Sequence, residues 1–401
     1  MDYRNVYMDY NATTPIHPEV KKVMIESLDI FGNGSSMHGY GREAGMLIDK
    51  ARTQIAHLIN ADPSEIIFTA GGSESDNTVL KYVSCQNGSC SSKGCCTRCD
   101  KNEIITTPIE HPAILETVKF LKTSGINTKF MKVDSTGLVI PEELYDLITD
   151  KTAMVSVMAA NNEIGTLQDI KRIAQICHEK GVLFHTDAVQ AIGKIPIDVK
   201  AMGIDYLSMS GHKIYAPKGI GILYAKKGAP YCPFVHGGHQ EAGRRAGTMN
   251  TTGIVSLGKA AELAEQELEA ESARLLALRN KLKAGIIASV PDIKINGNQE
   301  HTLPNTLNVS FTGAEGESIL LYLDLEGIAV STGSACSTGS LEPSHVLMAT
   351  GVDAELAHGS IRFSLGRENT EEDIDYVLEK LPPIIEKIRK MSTVYKKGET
   401  K

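Results

Sequence analysis

No apolar run in the 401-residue chain approaches the roughly 20 residues needed to cross a bilayer, so no membrane helix is expected. Basic charge is not in excess either. The 41 Lys and Arg stand against 49 Asp and Glu, a net charge of −8, which argues against a surface that coats nucleic acid. The first residues, MDYRNVYMDYNATTP, carry acids where a secretory signal needs a basic and then an apolar segment. The eight cysteines do not form the evenly spread framework of a small disulfide-bonded domain. Cys85, Cys90, Cys95, Cys96 and Cys99 crowd into one segment, while Cys177, Cys232 and Cys336 stand apart. These absences point to a cytoplasmic protein in a reducing compartment, with no nucleic-acid and no membrane partner.

The composition that remains is globular, with 42% hydrophobic and 22% charged residues. The length suits about two to three domains. Through residue 225 helical and strand patterns alternate. Helical spacing covers 17–28, 42–59 and 167–180, the last stopping before Gly181. Short β-rich runs lie at 65–69, 103–107, 153–159, 182–187, 206–210 and 219–225. This alternation predicts an α/β fold with a mainly parallel sheet covered on both faces. After Gly253 an Ala-, Glu- and Leu-rich helix is expected over about 254–287, followed by strands near 307–313, 327–331 and 361–365. A last charged helix is expected to break at Pro382-Pro383. A domain boundary is placed near residue 255, giving a large domain over 16–255 and a smaller one from 1–15 with 256–401. The Gly/Ser/Cys segment 84–102 is long for a helix-to-strand connection, which typically takes about 2–6 residues.

Several segments carry chemistry. In SGHKIYAPKGIG, Lys213 sits just beyond the strand YLSMS and the turn at Gly211. Ligands of α/β proteins bind at strand C-termini, and a lysine there suits a Schiff base to an aldehyde cofactor. In FTAGGSESDN, Gly72 and Ser73 open a helix after a strand, where free N–H groups attract an anion, although an ordinary strand-to-helix turn has the same residues. In FHTDAVQ, Asp187 follows an apolar strand and can hold a pyridine nitrogen protonated, or cap the next helix. Gln190, three residues on, can donate to a phenolic oxygen. His111 begins a helix, as a cap or as a group that stacks on a flat ring and moves protons. Cys336 lies among small residues in STGSACSTGS, a context for a nucleophilic thiol. Arg362 in SIRFSLGR is a carboxylate clamp or a surface ion pair.

With these segments in hand, the sequence resembles cysteine desulfurases of the NifS/IscS type, which are fold-type I pyridoxal phosphate (PLP) enzymes. The match runs from MDYNATTP to SIRFSLGR and is most specific in SGHKIYAPKGIG, GGHQEAGRRAGTMN, NNEIGTLQDI and STGSACSTGSLEPSHVL. The resemblance implies a seven-stranded, mainly parallel sheet in the large domain and a smaller α+β C-terminal domain carrying the cysteine loop. It implies that Lys213 binds PLP covalently and that Asp187 pairs with the ring nitrogen. Gln190 and Asn162 would meet the ring-oxygen side, and His111 would stack on the ring. Gly72, Ser73, Ser210 and His212 would hold the phosphate, joined by Thr248 from the neighbouring subunit of a homodimer. Asn33 and Arg362 would bind the carboxylate of L-cysteine. Cys336 would take the sulfur as a persulfide, pass it to an iron–sulfur scaffold or other acceptor protein, and through that persulfide could ligate a shared iron–sulfur cluster.

The sequence departs from the family pattern at Ala216, where glycine is common, and in the five-cysteine segment. Thiolates at such spacing can bind zinc or an iron–sulfur cluster, but C-x4-C-x4-C-C-x2-C matches no standard site. Two other readings share some of these features: a selenocysteine lyase, and a sulfur-trafficking scaffold without turnover. The joint presence of Lys213, Asp187 and Cys336 speaks against the second.

Overall fold

The computed structural model describes residues 4–83, 101–332, 342–392 and 395. The chain starts with β1 (Val6–Tyr7) and then builds a seven-stranded sheet from β2 (Ile66–Thr69), β3 (Glu103–Thr106), β4 (Asn127–Phe130), β5 (Thr152–Ser156), β6 (Leu183–Asp187), β7 (Tyr206–Ser210) and β8 (Gly221–Ala225). The spatial order is β2-β8-β7-β6-β5-β3-β4. The four pairings from β4 through β7 are parallel, and β8 is antiparallel to both of its neighbours. Runs such as IIFT, TAMVS and GILYA are buried along their whole length, as a sheet covered on both faces requires. The edge strand β4, NTKF, is instead polar and partly exposed.

Helices α1 (Pro18–Ser27), α2 (Gly39–Leu58), α3 (Gly72–Tyr82), α4 (Pro112–Lys122), α5 (Leu144–Leu147) and α6 (Ile170–Glu179) accompany this sheet. A 39-residue helix, α7 (Thr251–Ser289), leads out of it. The second region holds β9 (Ile293–Asn296), β10 (Thr306–Phe311), β11 (Ile328–Ala329) and β12 (Ser360–Ser364), with α8 (Gly316–Leu325), α9 (His345–Ala349), α10 (Ala354–His358) and α11 (Glu371–Met391). Here β12-β10-β9 form an antiparallel sheet, and β1 from the N-terminus pairs in parallel with β11.

The two regions have separate cores, and α7 serves both. Ile254, Leu257, Ala260 and Ala261 pack with Phe68, Phe184 and Ile222 of the large sheet. Leu275, Leu278, Leu282 and Ile286 pack with Val309, Phe311, Ile361 and Phe363 of the small one. The boundary expected near residue 255 therefore falls inside a continuous helix. Leu282 is fully buried, so its truncation to alanine is expected to cost about 2–5 kcal/mol.

One local expectation is corrected. α11 runs unbroken from Glu371 to Met391 with Pro382 and Pro383 inside it. Each proline removes a backbone donor, yet Val377, Leu381, Ile384, Ile385 and Ile388 form one buried stripe against the second core. Burial of that stripe on both sides of the prolines outweighs the lost hydrogen bonds.

Candidate active site

At the C-terminal ends of the parallel strands the chain leaves a crevice of ≈300 Å³. Gly72, Ser73, His111, Asn162, Asp187, Gln190, Ser210, His212, Lys213 and Arg362 all line it. Ten residues singled out in the sequence thus meet in one place, from positions spread over almost 300 residues.

Lys213 closes a single helical turn, Gly211–Lys213, directly after β7. Its Nζ donates to the backbone carbonyls of Asn11 at 2.5 Å and Ala12 at 2.7 Å. Asp187 ends the adjacent parallel strand β6, in register with Ser208 of β7, so both residues emerge on the same sheet edge. The Asp187 carboxyl is buried and accepts the Val189 N–H at 2.9 Å. Burial pushes its pKa up, and the nearby His111 and Lys213 pull the other way.

The anion end is built by backbone. α3 begins at Gly72 after Gly71 at φ +152°, with no side-chain cap on its first N–H groups. A Cβ on Gly72 would come within 2.7 Å of Val189 Cγ2, so this helix start approaches the neighbouring loop as only glycine permits. Ser73, Ser210 and His212 border the same end. The His212 Nδ1 lies 3.1 Å from Thr13 Oγ1, and burial, reinforced by Lys213 and Lys218, lowers its pKa to about 4. The ring is therefore neutral at pH 7.

His111 is the N-cap of α4. Its Nδ1 accepts the Ala113 N–H at 3.1 Å, which leaves the neutral ring's proton on Nε2. Burial lowers its pKa, so this tautomer persists at neutral pH. Arg362 on β12 donates to Asp9 Oδ1 at 2.7 Å and to the Asn162 carbonyl at 3.1 Å. Its Nε is buried without an acceptor among the described residues, a donor left for a ligand oxygen.

Other predicted residues are not in the crevice. Asn33 is exposed, its Oδ1 accepting the Ser35 N–H at 3.0 Å. Thr248 is exposed on the surface of its own chain. Cys336 and the cluster Cys85, Cys90, Cys95, Cys96 and Cys99 lie outside the described residues. Among the described residues, no group of three or more His, Cys, Asp or Glu is arranged to hold a metal ion. Cys177 and Cys232 are buried, and burial pushes the Cys177 thiol far up.

The sequence reading missed Asn11 and Asp76. Asn11, in the quoted run MDYNATTP, supports Lys213 through its carbonyl, but nothing local to that run says so. Asp76 lies one turn into α3, is 1% exposed, and lines the crevice with an Oδ1 that has no hydrogen-bond donor among the described residues, His185 Nε2 lying 3.7 Å away. Its pKa is raised well above the usual range by burial, with the Asp187 charge adding to it.

An amine, an acid beside it, a neutral flat imidazole and an uncapped helix N-terminus fit PLP point for point, and the buried Arg362 Nε adds a place for a substrate carboxylate. The fold and this crevice define a fold-type I PLP-dependent protein. A family model described as aminotransferase class-V matches residues 6–377. The cysteine desulfurase IscS of Clostridium botulinum (strain Hall) is 50% identical over 395 residues, covering 98% of this chain and 97% of the relative. The cysteine desulfurase NifS of Azotobacter vinelandii is 46% identical over 391 residues, covering 97% and 94%. A solved NifS-like protein superposes with a TM-score of 0.88 at 42% identity, covering 96% of this chain and 100% of that one. The chain belongs to the class-V aminotransferase family, among its cysteine desulfurases.

Proposed function

We propose that the chain removes sulfur from L-cysteine with PLP, releasing L-alanine and leaving the sulfur as a persulfide on Cys336. What carries this reading is the meeting of Lys213, Asp187, His111 and Arg362 around one crevice. When bound, the cofactor supplies an aldehyde for amines and a protonated ring that accepts the electron pair left at the substrate α-carbon.

The protein's own parts do the rest. The Lys213 amine, held by the Asn11 and Ala12 carbonyls, holds the cofactor and then takes the α-proton at Nζ. Asp187 would keep the ring nitrogen protonated. His111, with its proton on Nε2, would exchange protons with the substrate. Gly72, Ser73, Ser210 and His212 would hold the phosphate, and Gln190 and Asn162 would meet the ring oxygen. Arg362 would orient the substrate carboxylate, while Asn33 lies exposed outside this crevice. The Cys336 thiolate attacks the substrate sulfur, and the carbon–sulfur bond breaks with its electron pair staying on carbon. Cysteine plus the Cys336 thiol give alanine plus the Cys336 persulfide, with no outside oxidant.

The persulfide then passes to an acceptor protein such as an iron–sulfur cluster scaffold. The enzyme works as a homodimer in which Thr248 completes the phosphate site of the neighbouring subunit; its exposure on its own chain supports this. A cytoplasmic setting fits the uneven spread of the cysteines along the chain. The thiols of Cys85, Cys90, Cys95, Cys96 and Cys99 could bind zinc or an iron–sulfur cluster, and metal analysis with and without that segment separates this from a reducible segment that holds no metal. For the main reading, purified protein is incubated with PLP and L-cysteine, and alanine and reducible sulfur are measured. Equal amounts of the two are expected; alanine without released or protein-bound sulfur would overturn the assignment.

A further inference from the structure

Lys194 is an amine in a place where an amine is costly. It follows Gln190 by one helical turn, and the residue is only 8% exposed. Among the described residues it forms no ion pair with a carboxylate. Burial, with Lys213 and Arg362 nearby, lowers its proton affinity far below that of an ordinary lysine. An apolar side chain of the same length would fill the space without that penalty. What the amine adds is its hydrogen bonds: Nζ donates to Gln190 Oε1 at 2.8 Å and lies 3.4 Å from Asn11 Oδ1.

Those two acceptors matter. The ends of a side-chain amide are almost the same size, and only hydrogen bonds decide which way they face. Lys194 occupies the oxygen end of Gln190. The nitrogen end gives one N–H to the Asn11 carbonyl at 2.9 Å, the same carbonyl that accepts from Lys213 Nζ. The second N–H is left for the crevice that Gln190 lines. Asn11 is fixed in turn, receiving Asn305 Nδ2 at 3.1 Å on Oδ1 and donating to Thr306 Oγ1 at 2.9 Å.

We propose that Lys194 is a positioning residue, which holds the Gln190 amide with its NH2 group toward the cofactor and ties that orientation, through Asn11, to the support of Lys213. The proposal rests on reading Gln190 as the donor to the cofactor's ring oxygen. Without Lys194 the Gln190 oxygen would be buried without that donor, and the amide would be held only through its N–H on the Asn11 carbonyl. The contact with the ring oxygen would then weaken.

The test compares wild type, Lys194→Met, Gln190→Ala and the double variant, each loaded with PLP. Two readouts are used: the dissociation constant of PLP, and the pH midpoint of the bound cofactor's absorbance change. A donor on an oxygen lowers that oxygen's affinity for a proton, so loss of the donor moves the midpoint upward. Other groups around Lys194 are the same in all four proteins: Lys213, Arg362 and His212 on the crevice side, and Glu267, Glu271 and Arg367, with the phenols of Tyr10 and Tyr215, along a second, smaller cavity that Lys194 also lines.

If Lys194 acts through Gln190, both single variants raise the midpoint and weaken PLP binding, by roughly tenfold for the loss of one buried hydrogen bond. The double variant then goes no further than Gln190→Ala. A shift in Gln190→Ala but none in Lys194→Met, or two shifts that add, overturns the positioning role and leaves the reading of Gln190 standing. No shift in either single variant overturns both. If Lys194→Met does not fold, Lys194→Gln, which keeps an N–H donor, is compared with Lys194→Leu; equal midpoints in these two would reject the proposal.

Discussion

The backbone carbonyl of Asn11 accepts a hydrogen bond from Lys213 Nζ at 2.5 Å, across a sequence separation of 202 residues. The N-terminal arm is therefore part of the catalytic crevice. It pairs with β11 at Val6, bridges to β12 at Asp9, and donates the Thr14 N–H to the His212 carbonyl at 3.1 Å. The arm links the small region's sheet to the lysine turn of the large one.

Lys213→Ala is expected to remove the absorbance of covalently held PLP and to lower turnover by roughly a thousandfold or more, since it deletes both the covalent anchor and the base. Its fold should persist, because the hydrogen bonds it loses to the Asn11 and Ala12 carbonyls lie in the crevice and not in either core. Absorbance spectra and alanine production read the two effects. Turnover near that of wild type would remove Lys213 from its assigned role.

Cys336→Ser should still bind PLP and cysteine but produce no persulfide, because a hydroxyl is a far weaker nucleophile toward sulfur than a thiolate. Mass spectrometry after cysteine treatment of wild type should locate the added sulfur on the peptide holding Cys336. Cys177 is a poor rival, since burial keeps its thiol protonated. Sulfur found only on Cys177 or Cys232 would refute the assignment.

Glu110 gives a pH signature. Its side chain is buried, with Oε1 accepting from Thr107 Oγ1 at 2.8 Å and from the Met158 N–H at 3.0 Å, while Oε2 meets no donor among the described residues. Burial pushes its pKa up to about 8 from an ordinary 4.5. A raised folded-state pKa gives stability that is fully present below the unfolded value and is lost as pH rises through the folded one. The apoprotein should therefore lose stability between about pH 5 and 8, by on the order of 3 kcal/mol from this group. Glu110→Gln cannot ionise and should show a flatter profile in denaturant unfolding across that range. Parallel profiles for the two proteins would contradict the assignment.

Thr248 is expected to act in the neighbouring subunit. A mixed dimer of Lys213→Ala and Thr248→Ala chains then places both lesions on one site and leaves the other intact. Such heterodimers should recover up to about half of wild-type activity, by counting sites in a two-fold symmetric dimer. An inactive mixed dimer, alongside a severe defect in the Thr248→Ala homodimer, would place Thr248 in its own subunit's site.

Much of the crevice was legible because its residues follow strands. The apolar runs of β6 and β7, each closed by a polar residue, marked where Asp187 and the turn to Lys213 had to emerge. The glycine pair before Ser73 marked a helix start in the same way. These signals are local: side-chain period fixes the strand, and glycine fixes the turn. The sequence by itself determined the mainly parallel α/β sheet and the strand ends where Lys213, Asp187 and the helix start at Gly72 emerge. Only the tertiary structure decided which main-chain carbonyls hold the lysine, that Asp76 is buried beside Asp187, and that the Lys194 amine meets the Gln190 oxygen. It also decided that α11 runs through two prolines and that α7 joins both cores. Each of these depends on a partner far away in the chain, and the energy of a long-range contact leaves no periodic trace in the residues that make it.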